Sequence, residues 1–327
     1  MRNKELEPIT HKPGTHREWN ESYYLCFSDR RNGLSGMTRL GFKPNKDEGM
    51  TFLLLFLPDG SVAGFQANEN MDGYPERLEA AGMTHERRPD GSWHYSFQGR
   101  MAVVKDPSDF PRIRENPSLI SAMSPVSLHL KFQPFQPTYE YSENMTPESL
   151  EIGKKSGDEH WEQMAKINGE ISVGEQVFVL RDVIGQRDHT HGVRDWTDVG
   201  NWLYYVVWFN EGLAINPAAI VLDDGRISIG GFLWKGGVNV PIVSLRIIDQ
   251  KFKDGIIPVS STLELTDLKG IKHILKCKAG PVVPLPFVDA YGKISVLAQS
   301  FGEFELDDVM GGYGTYETLR VVINSKS

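Results

Sequence analysis

The sequence predicts an all-β protein built from many short antiparallel strands. Two observations carry this. Seven Asp-Gly or Asn-Gly pairs, at 32–33, 59–60, 72–73, 90–91, 168–169, 224–225 and 254–255, offer the positive φ that tight hairpins need. Between them lie short runs rich in β-branched and aromatic residues, with few helical patterns.

Taken in order, 51–57, 61–66, 93–98 and 100–105 read as strands. In 126–133, Val126, Leu128, Leu130 and Phe132 alternate with Ser127, His129, Lys131 and Gln133, which marks a half-buried strand. Further strands are expected at 171–180, 202–209, 226–234, 241–249, 260–266, 271–277, 293–301 and 316–323. Residues 202–209 are apolar on both faces and must be covered on both sides. Pro75 to Gly82 reads as a short helix, from Pro start to Gly stop. Pro147 to Ile152 reads as a helical turn capped by Thr146. The Pro- and Gly-rich stretch 134–160 reads as a linker, dividing the chain into domains 1–140 and 141–327.

Composition narrows the function. The 327 residues are 40% apolar and 24% charged, which excludes a disordered chain. The net charge of −8 argues against nucleic-acid partners and against docking on an anionic membrane. Two distant cysteines, Cys26 and Cys277, make a disulfide framework or Cys-based zinc site unexpected and fit a reducing compartment. Met1 to Pro8 has no signal-peptide h-region, and the apolar run Phe52 to Leu57 is too short to span a bilayer. A cytoplasmic protein without an integral membrane segment is therefore expected. The phosphate loop GxxxxGK[ST], the GxSxG elbow and HExxH are absent, and no strand-then-helix context makes the Gly-rich pieces a dinucleotide site, so a nucleotide-dependent enzyme is not expected. A homodimer is left open.

The densest polar constellation is Gly185-Gln-Arg-Asp-His-Thr-His-Gly-Val-Arg-Asp-Trp196. On a strand, Arg187, His189 and His191 would share one face, and Asp188 and Thr190 the other. So much unlike charge needs internal pairing or a wet cavity. A purely structural Arg/Asp network satisfies the same need. His189-x-His191 also admits a metal, with His129, His160, His273 or a carboxylate as third ligand. Trp161, Trp196, Tyr204 and Trp208 are candidate walls of an apolar pocket, although core packing is the expectation for most of the aromatics after residue 160.

The segments His160-Trp-Glu-Gln163, Ile167-Asn-Gly-Glu-Ile171 and the 185–196 motif resemble the C-terminal domain of the lipocalin-like carotenoid 1,2-hydratase/AttH superfamily, in a bacterial branch with the signature G-x-R-D-H-S-W-G-x-R-D-W. Asn20 to Tyr24, Leu40 to Asn45 and Leu57 to Gly60 match the same branch. Thr190 and His191 depart from its usual Ser and Trp. The resemblance implies two consecutive lipocalin-like β-barrels or curled sandwiches. It also implies long, unsaturated, apolar ligands and no organic cofactor.

The expectation is a lyase or isomerase of hydratase or cyclase type, acting on a terpenoid, carotenoid or steroid-like lipid. A buried carboxylic acid would protonate the substrate, and aromatic faces would stabilise the cation by about 0.5–2 kcal/mol per ring. Asp188 is the expected acid, with His189 orienting it or relaying the proton and Asp195 as second candidate. Arg187, Arg194, His191 and Glu162 would support them. The rivals are a non-catalytic carrier of hydrophobic ligands and a metal-dependent enzyme using His189 and His191.

Overall fold

The computed structural model describes residues 8–71, 73–74 and 77–322. The Met1 to Glu7 part of the N-terminal reading, together with Asp72, Pro75 and Glu76, lies outside them. The first half of the chain holds β1 (Trp19–Asp29), β2 (Leu34–Lys43), β3 (Glu48–Phe56), β4 (Val62–Asn70), β5 (Leu78–Ala80), β6 (Met83–Arg87), β7 (Trp93–Val104) and β8 (Ile120–Pro134). Next come β9 (Tyr139–Glu140), the helix α1 (Pro147–Gly153), β10 (Glu159–Val173) and β11 (Gln176–Val193). The second half holds β12 (Asn201–Asn210), β13 (Leu213–Val221), β14 (Ile227–Lys235), β15 (Val238–Lys253), β16 (Ile257–Asp267), β17 (Lys272–Val288), β18 (Ile294–Leu306) and β19 (Val309–Val322).

Strands β1 to β11 form one sheet in the order β4-β3-β2-β1-β11-β10-β8-β7-β6-β5, with β9 on β10. A short β4–β7 pairing, Val62 to Gly64 against Ala102 to Val104, brings this sheet round on itself as a first barrel. Strands β12 to β19 form a second, closed eight-stranded barrel. The fold is thus all-β with two lipocalin-like units in sequence.

The sheets divide elsewhere than the sequence predicted. β10 and β11 were assigned to a domain beginning at 141, yet they hydrogen-bond to β8 and β1. The change of sheet falls between β11 and β12, at 194–200. Strand partners are chosen by long-range packing, which a Pro/Gly count does not detect. Nor is 134–160 a loose tether. Tyr139 and Tyr141 are buried, and their hydroxyls donate to Gly231 O at 3.0 Å and Asn216 Oδ1 at 2.9 Å. Ser228 Oγ donates to Ser149 O at 2.7 Å, fixing α1 on β14.

Local readings fare unevenly. The turn at 147–152 is α1, and Thr146 Oγ1 accepts the Ser149 N–H at 3.1 Å. The helix expected at 75–82 is replaced by β5, whose Leu78 and Ala80 are buried against the first core. That burial outweighs a weak Pro/Gly signal. Gly33, Gly60, Gly91, Gly225 and Gly255 have φ between 63° and 86°, as hairpin glycines should. Asn168-Gly169 instead lies within β10 opposite a bulge whose extra residue is in β11 at 181–182, and a Cβ on Gly169 would lie 2.1 Å from His129 O. The expected single strand 171–180 is the tip of the β10–β11 hairpin, with Gly174 at φ 60°.

Apolar layers result, with a smaller cluster around Ile152, Val199, Ile220, Leu297 and Leu319, and strand alternation sorts residues among them. Tyr23, Leu25, Phe27, Ala165 and Ile167 fill the first barrel. Leu203, Tyr205, Val207 and Tyr316 fill the second. Tyr24, Cys26, Met164, Val206, Trp208 and Phe232 form a middle layer where the barrel walls meet. This explains why 202–209 is apolar on both faces. Truncating a fully buried leucine such as Leu25 would cost about 2–5 kcal/mol.

Candidate active site

The site grows from register. Across β1, β11 and β10 the rows are Tyr24–Asp188–Glu162, Tyr23–His189–Trp161, Ser22–Thr190–His160 and Glu21–His191–Glu159. Successive rows point to opposite faces. Rows containing Asp188 and Thr190 face the second barrel, and rows containing His189 and His191 face into the first. The predicted parity of residues 187–191 is therefore realised.

On the outward face lies a cavity of about 160 Å³ between the two barrels. Its walls include Asp188, His160, Arg194, Glu317, Tyr24, Tyr141, Trp202 and Tyr204. Apolar floor comes from Leu203, Ala218, Ala219 and Ile220. Neither barrel alone supplies the cavity.

Asp188 makes no hydrogen bond through its carboxylate among the described residues, so its oxygens are available to a ligand. Burial pushes this carboxyl up to about 6, against the attraction of His160, Arg194 and Arg39. Its row partner Glu162 adds to the rise, since two carboxylates so placed resist ionising together. Glu162 is fully buried and pushed up to about 8 by burial, against hydrogen bonds from Tyr204 and Gln186. Gln186 Nε2 donates to its Oε2 at 2.6 Å, and the Tyr204 hydroxyl donates to Oε1. His160 Nε2 lies 2.8 Å from the same Oε1, and its Nδ1 lies 2.6 Å from Thr190 Oγ1. Burial lowers the His160 imidazole to about 4, so it is neutral near pH 7. A donor atom each from His160, Glu162 and Asp188 lie within 4.8 Å of one another. Across the cavity Glu317 is raised to about 7 by burial, against a 2.6 Å hydrogen bond from Gln299.

The inward face differs. His189 is fully buried, with Nε2 2.8 Å from Glu21 Oε1 and its ring stacked on Tyr23 at 4.4 Å. His189 therefore cannot orient Asp188, because a strand sends adjacent side chains apart. His160, named only as a metal ligand from the sequence, stands beside Asp188 instead. Burial alone would push Glu21 up, but bonds from His11, His189, Tyr74 and the His11 backbone bring it down to about 2.

The other predicted residues scatter. Asp195 is exposed and accepts from Thr197 N at 3.0 Å and Thr197 Oγ1 at 2.8 Å, a turn-closing role away from the cavity. Arg194 lines the cavity and donates from Nε to Ser156 O at 2.7 Å. Arg187 donates to Gln163 Oε1 at 2.9 Å and lies over Trp93. Of the predicted walls only Tyr204 lines the cavity. Trp161 stacks against His11 inside the first barrel, Trp196 packs on Phe287, and Trp208 belongs to the middle core. Bulk and apolarity do not reveal which face an aromatic occupies.

As for metals, His189 and His191 meet separate carboxylates, Glu21 and Glu159. His273 is bonded to Asp307 at 2.9 Å in the second barrel, and His129 stands opposite Glu170 on β8. The third histidine near the pair is His11, from the segment before β1. Glu317, Tyr24, Tyr141 and Trp202 were also missed. The signal that was present is the hairpin: folding 159–193 at Gly174 sets Glu162 opposite Asp188 and His160 opposite Thr190.

Among the described residues no helix is long and apolar enough to cross a membrane. No curated protein matches the chain in sequence. Solved structures do match in fold. An AttH-like protein from Nitrosomonas europaea is 13% identical, with 98% of this chain and 99% of that one aligned at a TM-score of 0.63. CghA is 10% identical over 95% of this chain and 90% of its own, TM-score 0.56. Kievitone hydratase from Nectria haematococca is 9% identical over 93% and 89%, TM-score 0.56. These likenesses are of fold. The sequence itself matches one family profile over residues 6–322, and the chain belongs to that family, the domain of unknown function DUF7064.

Proposed function

We propose that this chain is a cofactor-independent lyase or isomerase, of hydratase or cyclase type, acting by acid catalysis on an unsaturated apolar small molecule. The observation that carries the reading is Asp188, whose carboxylate meets an aromatic and apolar cavity without a hydrogen bond to the described protein. One neighbour in fold is named a hydratase, which points the same way.

In the proposed reaction Asp188 gives its proton to an alkene carbon or to a leaving oxygen. The alkene π pair forms the new C–H bond and leaves a tertiary carbocation; a protonated leaving oxygen instead departs as water or an alcohol with the C–O bonding pair, leaving the same kind of cation. Tyr24, Tyr141, Trp202 and Tyr204 offer ring faces to that cation. Addition of water followed by proton return to Asp188 is hydration. Attack by an internal alkene, followed by proton loss from a neighbouring carbon, is cyclisation. Arg194 favours the carboxylate left behind, and His160 with Glu162 holds the next proton close by.

The cavity volume limits what enters. An apolar cavity of about 150 Å³ takes up benzene. At about 160 Å³ this one accepts a ring-sized or isoprenoid end, while the rest of a terpenoid, carotenoid or steroid-like lipid occupies the opening.

The test is incubation with a hydrophobic metabolite extract in deuterated water, read by mass spectrometry, with Asp188→Asn as control. Deuterium-labelled products that fall by about 10²–10⁴-fold in the variant are expected. Selective retention of one compound by both proteins without turnover would replace the enzyme with a carrier.

A further inference from the structure

The inward face of β11 holds a second polar cluster that the proposed reaction does not use. Three histidines and two carboxylates meet there from separate stretches of chain: His11 before β1, Glu21 on β1, Glu159 on β10, and His189 and His191 on β11. Glu21 Oε1 lies 2.7 Å from His11 Nδ1 and 2.8 Å from His189 Nε2. One donor atom from each of these three residues lies within 4.8 Å of the others.

We propose that His11, Glu21 and His189 bind a divalent first-row cation such as Zn²⁺, which pins the segment before β1 to the wall of the first barrel. Two imidazoles and one carboxylate are a donor set that zinc accepts readily. Ligands about 2.0–2.1 Å from a tetrahedral zinc sit roughly 3.3 Å apart. The two contacts of Glu21 Oε1 with the imidazoles would therefore lengthen by about half an ångström to admit the ion.

The supporting groups are arranged as outer partners of a metal usually are. Glu21 Oε2 accepts the His11 backbone N–H at 2.9 Å and the Tyr74 hydroxyl, which leaves Oε1 as the ligand atom. His11 stacks on His191 at 3.8 Å and His189 on Tyr23 at 4.4 Å, so both rings are held in orientation. His191 brings a buried Nδ1 with no hydrogen-bond partner among the described residues. Charge also asks for a cation. The Glu21 side chain is fully buried, and its hydrogen-bond partners among the described residues include no Lys or Arg. A buried carboxylate so placed needs compensation. The cavity cluster is a poorer ion site, because both oxygens of its Glu162 already accept from groups outside the cluster, Tyr204 and Gln186.

The full-length chain, stripped with chelator, would be titrated with Zn²⁺ by calorimetry and with Co²⁺ by visible absorption. The expected result is close to one ion per chain and a Co²⁺ ligand-field band. His11→Ala and Glu21→Gln should each weaken Zn²⁺ binding by about tenfold or more, and His160→Ala should not. His11 lies outside the strands and part-exposed, so its variant tests the site without loss of the barrel, checked by circular dichroism. Failure to bind Zn²⁺, or binding that His11→Ala leaves unchanged, overturns the site. Binding lost on His160→Ala instead moves the ion to the cavity and overturns it equally.

Discussion

The two faces of β11 carry similar residues and opposite electrostatics. Each sets a buried glutamate 2.8 Å from a histidine nitrogen and gives it a tyrosine hydroxyl. Inside the first barrel, Glu21 also gains a second histidine and a backbone N–H, and those bonds overcome burial and hold it near 2. At the cavity, burial prevails and Glu162 stands near 8. Near neutral pH one face keeps a negative charge and the other keeps a proton. Donor count against desolvation decides the state of a buried carboxyl, and a strand one residue wide separates the two outcomes. A charged, multiply bonded cluster suits holding structure or a cation. A protonated one beside a cavity suits giving protons away.

The strongest way to break this contrast is at Asp188. Asp188→Asn should lower turnover by about 10²–10⁴-fold while the melting temperature stays close to wild type, measured by product formation and calorimetry in parallel. Collapse of the fold instead would make the outward cluster architectural. A second substitution pair sharpens the assignment of charge. At neutral pH Glu21→Gln should cost about 1.5–3 kcal/mol in urea unfolding, because it weakens bonds to an ionised acceptor. Glu162→Gln should cost less than about 1.5 kcal/mol, since an amide resembles a protonated acid. The reverse order would mean the charges have been exchanged.

A third test follows Glu162 across pH. Its folded value near 8 lies above the ordinary 4.5, so the folded state holds more protons than the unfolded state between those limits. Stability is then fullest at the acid end of that window and falls as pH rises through it. Wild type should lose more melting temperature between these limits than Glu162→Gln does. Equal slopes would remove Glu162 as a protonated group. The smallest effect is expected at Asp195, where Asp195→Ala removes two turn-closing bonds and should cost about 0.5–1.5 kcal/mol with turnover intact. A large loss of turnover there would return Asp195 to the active site.

Much of the contrast was legible in the sequence, but its partners were not. The alternation of Arg187, His189 and His191 against Asp188 and Thr190 is a local property of any strand, and the structure keeps it. The same alternation, followed through, excludes a contact between Asp188 and His189. His11, Glu21 and Glu317 stood outside the motif because no spacing rule links them to it. Glu21 and His189 are separated by 168 positions and meet only because β1 pairs with β11.

By itself the sequence determined the all-β class, the hairpin glycines, the capped turn at Thr146 and the two-faced character of 185–193, all consequences of backbone sterics and a period of two. Tertiary structure alone decided that β10 and β11 close the first barrel and that the cavity lies between two walls. It also decided which carboxyl is charged. Those outcomes depend on strand register and on the depth of burial. Both are set by contacts between residues far apart in the chain, which local pattern does not encode.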